Sequence, residues 1–392
     1  MKVLLLTDAD VFAGTERHIL DLAVALRAEG CEAEIGCPDR GILAERARAA
    51  GVAVFAVEKG AGLDFAAVNR VRAGLRSGRF DLVHSHNGRT AFIAELGVAL
   101  AGRGRTVTTQ HFVQPARTGR RGLKGWLAKR LHGWVAGRTG RIIAISEAVR
   151  AGILERREAA AEKVTKVWNG IADPAAEPLR PAGEIRAEFQ IPRGAQLLVS
   201  AARLEPEKAV HLLIDAVAQL VPAHPNLRCL VAGEGRQRAV LQAQIDRLGM
   251  AGLIRLIGYQ PDVLSIVRAA DVFVLASPAE PFGLALVEAM ALGKPAIAVR
   301  AGGPVEIVTD ESGLLVSPDN AGELRESVRR VLDEPAHAHR LGAGARQRFL
   351  DYFTAKRMAR AILAIYREVL AVESTGSVDQ AHILAESRQQ RG

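Results

Sequence analysis

Cysteine is scarce: Cys31, Cys37 and Cys229 are the only three in 392 residues, an odd number with no C-x-x-C pair. That argues against a disulfide framework or a cysteine-built zinc site and fits a reducing compartment. Long apolar runs are missing too. No uncharged window of about 18 residues exists to span a bilayer, and the opening Met1-Lys2-Val3-Leu4-Leu5-Leu6 meets Asp8 and Asp10 before it could serve as a signal core. A chain that neither spans a membrane nor is secreted is expected, cytoplasmic and at most peripheral on the inner face of the cytoplasmic membrane. The polarity of disordered chains is also lacking, since 49% of residues are hydrophobic and 24% charged. The length suits two domains of roughly 100–200 residues each.

Acidic residues are absent from 96–146, where Arg103, Arg105, Arg117, Arg120, Arg121, Lys124, Lys129, Arg130, Arg138 and Arg141 place ten positive charges. The chain's net charge of +9 therefore has an address. Such a stripe attracts phosphate on lipid headgroups, nucleic acid or an anionic substrate. Within it Leu123, Trp126, Leu127, Leu131 and Trp134 recur at roughly helical spacing among Lys124, Lys129 and Arg130. This predicts an amphipathic element, with Trp126, Lys129, Arg130 and Trp134 as the membrane-facing set. Core tryptophans beneath a solvated basic face would read the same way.

Along the chain, Lys2 to Leu6 reads as a strand, the turn around Gly14 as a loop, and Ile19, Leu22, Ala23 and Leu26 as one helix face ending at Gly30. The alternation continues through six more apolar runs to Trp168, which predicts a parallel sheet covered on both faces. Asn169 to Pro192 is the richest stretch in proline and reads as a linker. A second alternation begins at Gln196 and runs to Val316. Met358, Ile362, Ile365, Tyr366 and Val369 then mark a long C-terminal helix. The expected division is residues 1–172, 173–350, a helix at 351–372 packing back towards the first domain, and a polar tail at 373–392. The fold class is α/β, with ligands at the carboxyl ends of the strands.

Arg203-Leu204-Glu205-Pro206-Glu207-Lys208 sets two cations five residues apart between a strand and a helix. An arginine fork with a mobile lysine suits a diphosphate and its stabilisation as a leaving group. Glu280-Pro281-Phe282-Gly283-Leu284-Ala285-Leu286-Val287-Glu288 flanks a Pro/Gly loop with two acids at the mouth of an apolar helix. Gly283 allows close backbone approach, and the acids can accept from sugar hydroxyls.

These residues resemble the retaining nucleotide-sugar glycosyltransferases of the GT-B architecture, the large group that includes lipopolysaccharide-core and mannosyl transferases. The family's E-x7-E signature is matched by Glu280 and Glu288, and its basic pair by Arg203 and Lys208. Its glycine turn is matched by Gly302-Gly303-Pro304-Val305-Glu306. In the N-terminal half, Gly14-Thr15-Glu16, Val83-His84-Ser85-His86 and Thr109-Gln110-His111 resemble its Gly-Gly-x-Glu, His-x-His and Thr-x-His elements. The resemblance covers about residues 1–370 and implies two Rossmann-like doubly wound domains facing across a cleft.

It also implies roles. Glu288 would hold the nucleotide ribose, Arg203 and Lys208 the diphosphate, and Glu280 with the Phe282 and Gly283 backbone the donor sugar. His111 would contact the sugar, Gly14 and Leu284 would complete the donor side, and His84 and His86 would face the acceptor. A UDP- or GDP-sugar donor, a glycan or lipid-linked acceptor, and retention without an enzymic nucleophile are the expected chemistry. Domain closure would hinge near 170–192 and at the C-terminal helix. Two departures stand out. Ala13 replaces the first glycine of the pair, which is expected to alter that loop, and Ala209 follows Lys208 where glycine is common, which is expected to be tolerated at a helix start.

No cofactor or metal is expected. Asp8-Ala9-Asp10 spells a DxD, but on the side opposite the donor diphosphate, and His84 and His86 show no further cysteine or aspartate partner in the sequence. Two alternatives remain: a nonhydrolysing sugar-nucleotide epimerase, against which the Glu280/Glu288 spacing argues, and a nucleic-acid binder using 103–141, for which no recognised motif is present.

Overall fold

The computed structural model describes residues 1–9, 12–58, 64–112, 123–176 and 178–371, and of 123–129 the backbone alone. The chain divides into two compact units, one made of Met1–Gly170 with the chain from Ala355 on, the other of Ile171–Thr354. The division thus falls at Gly170/Ile171 and again at Thr354/Ala355, and residues 351–354 go with the second unit.

The first unit is a seven-stranded parallel sheet of β1 (Lys2–Leu6), β2 (Glu32–Cys37), β3 (Ala53–Ala56), β4 (Leu82–Ser85), β5 (Arg105–Gln110), β6 (Arg141–Ala144) and β7 (Val164–Lys166), in the order β3-β2-β1-β4-β5-β6-β7. Val3, Leu4, Leu5 and Leu6 are all buried, because a central parallel strand is covered on both faces and needs consecutive apolar side chains. One face packs α1 (Gly14–Ala28), α2 (Ile42–Ala49) and a helix over 355–371. The other packs α3 (Phe65–Arg76) and α4 (Gly88–Ala101). The helices α5 (Leu123–Arg138) and α6 (Glu147–Glu155) precede β6 and β7. Strand order reverses between β1 and β4, so the loops after these two strands diverge and leave a crevice at the sheet's carboxyl edge.

The second unit opens with α7 (Ala182–Glu188) and carries a six-stranded parallel sheet in the order β10-β9-β8-β11-β12-β13. The strands are β8 (Leu197–Ala201), β9 (Arg228–Ala232), β10 (Ile254–Gly258), β11 (Val272–Leu275), β12 (Ala296–Val299) and β13 (Gly313–Val316). Its helices are α8 (Val210–Leu220), α9 (Arg238–Arg247), α10 (Val263–Ala269), α11 (Leu284–Ala291), the single turn α12 (Pro304–Ile307), α13 (Ala321–Asp333) and α14 (Pro335–Tyr352). Val210, Leu213, Ile214, Val217 and Leu220 form the buried stripe of α8, as the helical period requires. Here the order reverses between β8 and β11. The two chain crossings meet at this unit's border, where the Ile171 N–H donates to the Phe353 carbonyl at 3.0 Å. Just inside it, Arg346 on α14 holds Asp173 by two parallel bonds of 2.7 Å.

Candidate functional site

In the second unit, Arg203 and Lys208 lie in the loop after β8, and Glu280, Phe282 and Gly283 in the loop after β11, on either side of the strand-order reversal. Lys208 Nζ donates to Glu280 Oε2 at 2.6 Å, both side chains being largely covered at 13% and 14% exposure. Arg203 reaches Glu207 at 3.1 Å and remains exposed. The Glu207 carboxyl is held below the usual range, first by its own backbone N–H and then by Arg203 and Lys208. Ser277 Oγ donates to the Glu207 carbonyl at 3.2 Å and ties the two loops together.

The shape of the 280–283 loop comes from glycine. A methyl carbon at Gly302 would lie 2.2 Å from the Glu280 carbonyl oxygen, and one at Gly303 would lie 2.3 Å from the Phe282 Cα. Only hydrogen fits there, and the Gly303 N–H donates to the Glu280 carbonyl at 2.9 Å. Gly283 itself has φ 114°, a conformation closed to L side chains, and it caps α11. Phe282 is buried, its ring 6.1 Å from that of Phe353. Leu284 starts α11 and Glu288 follows one turn later on it, both half-buried. The structure therefore gathers Lys208 and Glu280 directly and holds Arg203, Gly283, Leu284 and Glu288 on the same carboxyl edge. Two cations and two acids along one sheet edge have the chemistry to suit a polar, anionic ligand.

The departures from the family pattern trade places. Ala13 is extended (φ −134°, ψ −160°), a conformation any residue adopts, and its N–H is held by Glu16 Oε2 at 3.0 Å. Alanine therefore leaves this loop undisturbed. Ala209 is the strained one, at φ 47° and ψ 35° in the left-handed region that glycine would occupy freely.

In the first unit, four buried histidines converge at the reversal between β1 and β4: His18 from α1, His84 on β4, His86 just after it and His111 just after β5. His84 sits between Tyr366 Oη at 2.6 Å from Nδ1 and Thr109 Oγ1 at 2.7 Å from Nε2. Burial keeps Tyr366 a phenol, and with the Thr109 hydroxyl it brackets the two nitrogens of the ring. Both nitrogens of His84 thus have partners within the unit, Tyr366 and Thr109. His86 Nδ1 lies 3.1 Å from His111 Nε2, and the His18 ring centroid lies 4.8 Å from that of His111. Burial pushes the His18 imidazole down to about 4, and burial followed by mutual repulsion holds His86 and His111 well below the ordinary value. All are neutral near pH 7. Gly14 heads α1 one turn before His18, and it is exposed.

Sequence reading missed His18, because a histidine inside an amphipathic helix carries no spacing signal toward residues about 70 and 90 positions away. It also placed no partner near Asp8. That carboxylate accepts from Asn87 Nδ2 at 2.8 Å and Arg89 Nη1 at 2.7 Å, which ties the loop after β1 to the start of α4. Asp10 lies outside the described residues.

Of the basic segment, Arg117, Arg120, Arg121 and the side chains of Lys124, Trp126 and Lys129 lie outside the described residues. Arg103, Arg130 and Arg138 are exposed, as is Trp134, which stacks under Arg138 at 5.5 Å and meets Phe92 at 6.1 Å. Arg141 is instead drawn to Glu368 at 3.2 Å. Around α5, Arg138 falls in the same angular sector as the apolar positions 127, 131 and 134, and Arg130 flanks it, so charge interrupts the expected apolar stripe.

Residues 12–173 match the family described as Glycosyltransferase Family 4, and residues 182–348 match the family described as Glycosyl transferases group 1. A glycogen synthase of Mycobacterium tuberculosis (strain ATCC 25618 / H37Rv) is 31% identical over 312 residues, 76% of this chain and 72% of that protein. A D-inositol 3-phosphate glycosyltransferase of Frankia alni is 31% identical over 325 residues, 78% of each. Among solved structures, a glycosyltransferase from Rickettsia africae superimposes with a TM-score of 0.81 at 21% identity, covering 94% of this chain and 98% of that one. Anabaena HepE in complex with UDP gives 0.80 at 22%, covering 94% and 100%. These likenesses in structure are likenesses of fold.

Proposed function

The chain belongs to the group 1 glycosyltransferases of GT-B fold, and from that premise we propose that it moves a hexose from a nucleotide diphosphate donor, a UDP- or GDP-sugar, to a glycan or lipid-linked acceptor with retention of configuration. The observation that carries this reading is the Lys208–Glu280 pair at the strand-order reversal of the second unit, with Arg203 exposed beside it. A donor diphosphate competes with Glu280 for Lys208. Its arrival frees the carboxylate to accept from sugar hydroxyls while Lys208 and Arg203 take the phosphate charge. Glu288 is assigned to the ribose, Phe282, Gly283 and Leu284 to the walls of the donor pocket, and His111 to the sugar.

In the transfer step the acceptor oxygen bonds to the anomeric carbon from the face the diphosphate leaves. The bond from that carbon to the phosphate oxygen breaks, and a phosphate oxygen takes the hydroxyl proton. Glu280 is no nucleophile here, its carboxylate being occupied in accepting hydrogen bonds from the sugar hydroxyls. The names of relatives, among them a lipopolysaccharide core glycosyltransferase of Rhizobium meliloti 34% identical over 190 residues, support a role in cell-envelope polysaccharide. UDP and UDP-glucose in structures of the HepE fold relative favour the uridine donor.

Calorimetric titration of UDP, GDP and ADP into the protein tests the donor site, with Glu288→Ala and Arg203→Ala beside it. One nucleotide is expected to bind selectively, and each variant is expected to weaken it by about tenfold or more, the loss of one or two charged hydrogen bonds. No binding, or binding unchanged in both variants, removes the donor site from this loop pair. NMR of the product anomer then decides retention.

A further inference from the structure

Three of the four buried histidines of the first unit bring ring nitrogens close together. The candidate ligand atoms of His18, His86 and His111 all lie within 4.8 Å of one another. They come from three different elements, so the fold and not local sequence brings them together. Neither nitrogen of His18 has a hydrogen-bond partner among the described residues, nor does His86 Nε2, nor the nearby Asn169 Oδ1. Asn169 lies close enough to His18 to favour its protonated form without meeting hydrogen-bond geometry. Buried polar atoms normally find partners, and a His18 imidazole with neither nitrogen satisfied has a lone pair open to a ligand.

The donor set identifies what would bind. Three neutral imidazoles offer lone pairs and no negative charge, which suits a borderline transition metal and not magnesium or calcium. Two nitrogens on one tetrahedral zinc lie about 3.3 Å apart, given zinc–nitrogen bonds of about 2.0–2.1 Å. His86 Nδ1 and His111 Nε2 are already 3.1 Å apart. Ring rotations that close the widest gap of 4.8 Å by about 1.5 Å complete a three-histidine face. We propose that His18, His86 and His111 form a binding site for a first-row transition metal, zinc above all, that ties α1 to the ends of β4 and β5, with the fourth position left to water. His84 stays outside the ligand set, because Tyr366 and Thr109 occupy both its nitrogens. If His111 also contacts the donor sugar, occupancy inhibits transfer; that effect rests on the proposed function, whereas the site itself does not.

The test uses the full chain without a polyhistidine tag, stripped of metal and titrated with Co(II) and then with Zn(II) alone. The expected result is about one cobalt per chain, with the intense visible bands of tetrahedral nitrogen coordination, displaced by zinc, and a melting temperature that rises with metal. His18→Leu keeps the buried volume and removes one ligand, so it is expected to remain folded by circular dichroism and to bind cobalt at least about tenfold more weakly. His224→Ala, a histidine change in the second unit, is expected to bind as the wild type does. Should His18→Leu fail to fold, the cobalt spectrum of the wild type decides alone. A folded wild type that takes up no cobalt or zinc, octahedral cobalt bands, or uptake unchanged in folded His18→Leu overturns the site.

Discussion

Ala209 carries the clearest backbone cost in the loop after β8. Its left-handed conformation follows Lys208 directly and opens α8, so the turn that aims the lysine is held against the preference of an L residue. That conformation costs an L residue roughly 1–2 kcal/mol, and glycine would escape it while adding unfolded-chain entropy of about 0.4–1 kcal/mol. Ala209→Gly is therefore expected to raise stability by about 1 kcal/mol or somewhat less, with Lys208 still bonded to Glu280; denaturant titration with nucleotide binding alongside checks both. A loss of stability would mean that the turn relaxes some other way. From sequence this residue reads as harmless and Ala13 as the disturbance, because a missing glycine signals nothing until φ is known. His18 was hidden for a related reason, since its partners are set by the sheet and not by spacing.

At the scale of elements, most of the fold was legible. Strands in a two-sided parallel sheet must be apolar at consecutive positions, and Leu4-Leu5-Leu6 or Phe273-Val274-Leu275 can be read directly as such. The neighbourhood of the candidate loops was legible too, because Lys208 and Glu280, read as charged loop residues, do meet, and Gly283, read as a loop glycine, does take a positive φ. The pairing of Asp173 with Arg346 was not, as 173 positions separate them. That pair anchors the start of the second unit to α14, and the guanidinium holds the Asp173 carboxyl below its ordinary value, so the folded state keeps the proton off more strongly than the unfolded chain does. The pair's contribution is complete above the unfolded carboxylate value of about 3.9 and disappears as pH falls through the lower folded value. Asp173→Asn is expected to cost about 1 kcal/mol at pH 7 in this partly exposed site, with the difference from wild type shrinking below pH 4. Chemical denaturation at pH 7, 5 and 3.5 follows it, and a difference that persists undiminished at low pH would assign the loss to packing.

For the molecule as a whole, the charge is the property that reaches beyond its own surface. No helix among the described residues is long and apolar enough to cross a membrane. The exposed Arg130 and Arg138 beside the exposed Trp134 nonetheless have the composition that an interfacial contact uses. Vesicles rich in anionic lipid are expected to sediment the protein at low salt and release it near 0.5 M, where screening shortens to about 4 Å. Since each basic residue at such a surface contributes about 1 kcal/mol, Arg130→Glu with Arg138→Glu should lower vesicle affinity by at least about tenfold. Binding that ignores salt and both reversals would return the stripe to an ordinary solvated face.

The two chain crossings bear on how the protein is made. Leaving the ribosome, the seven strands of the first unit precede the second unit, yet the helix over 355–371 that covers one face of that sheet, with Met358, Ile362 and Tyr366 in the core, emerges only after it. His84 waits for Tyr366 across 282 residues. The later-synthesised second unit is continuous and holds all its own strands, so it can finish folding while the earlier one is still open. The apolar face that this helix covers therefore waits for its cover for as long as translation of the second unit takes, which at about 5–20 residues per second is tens of seconds.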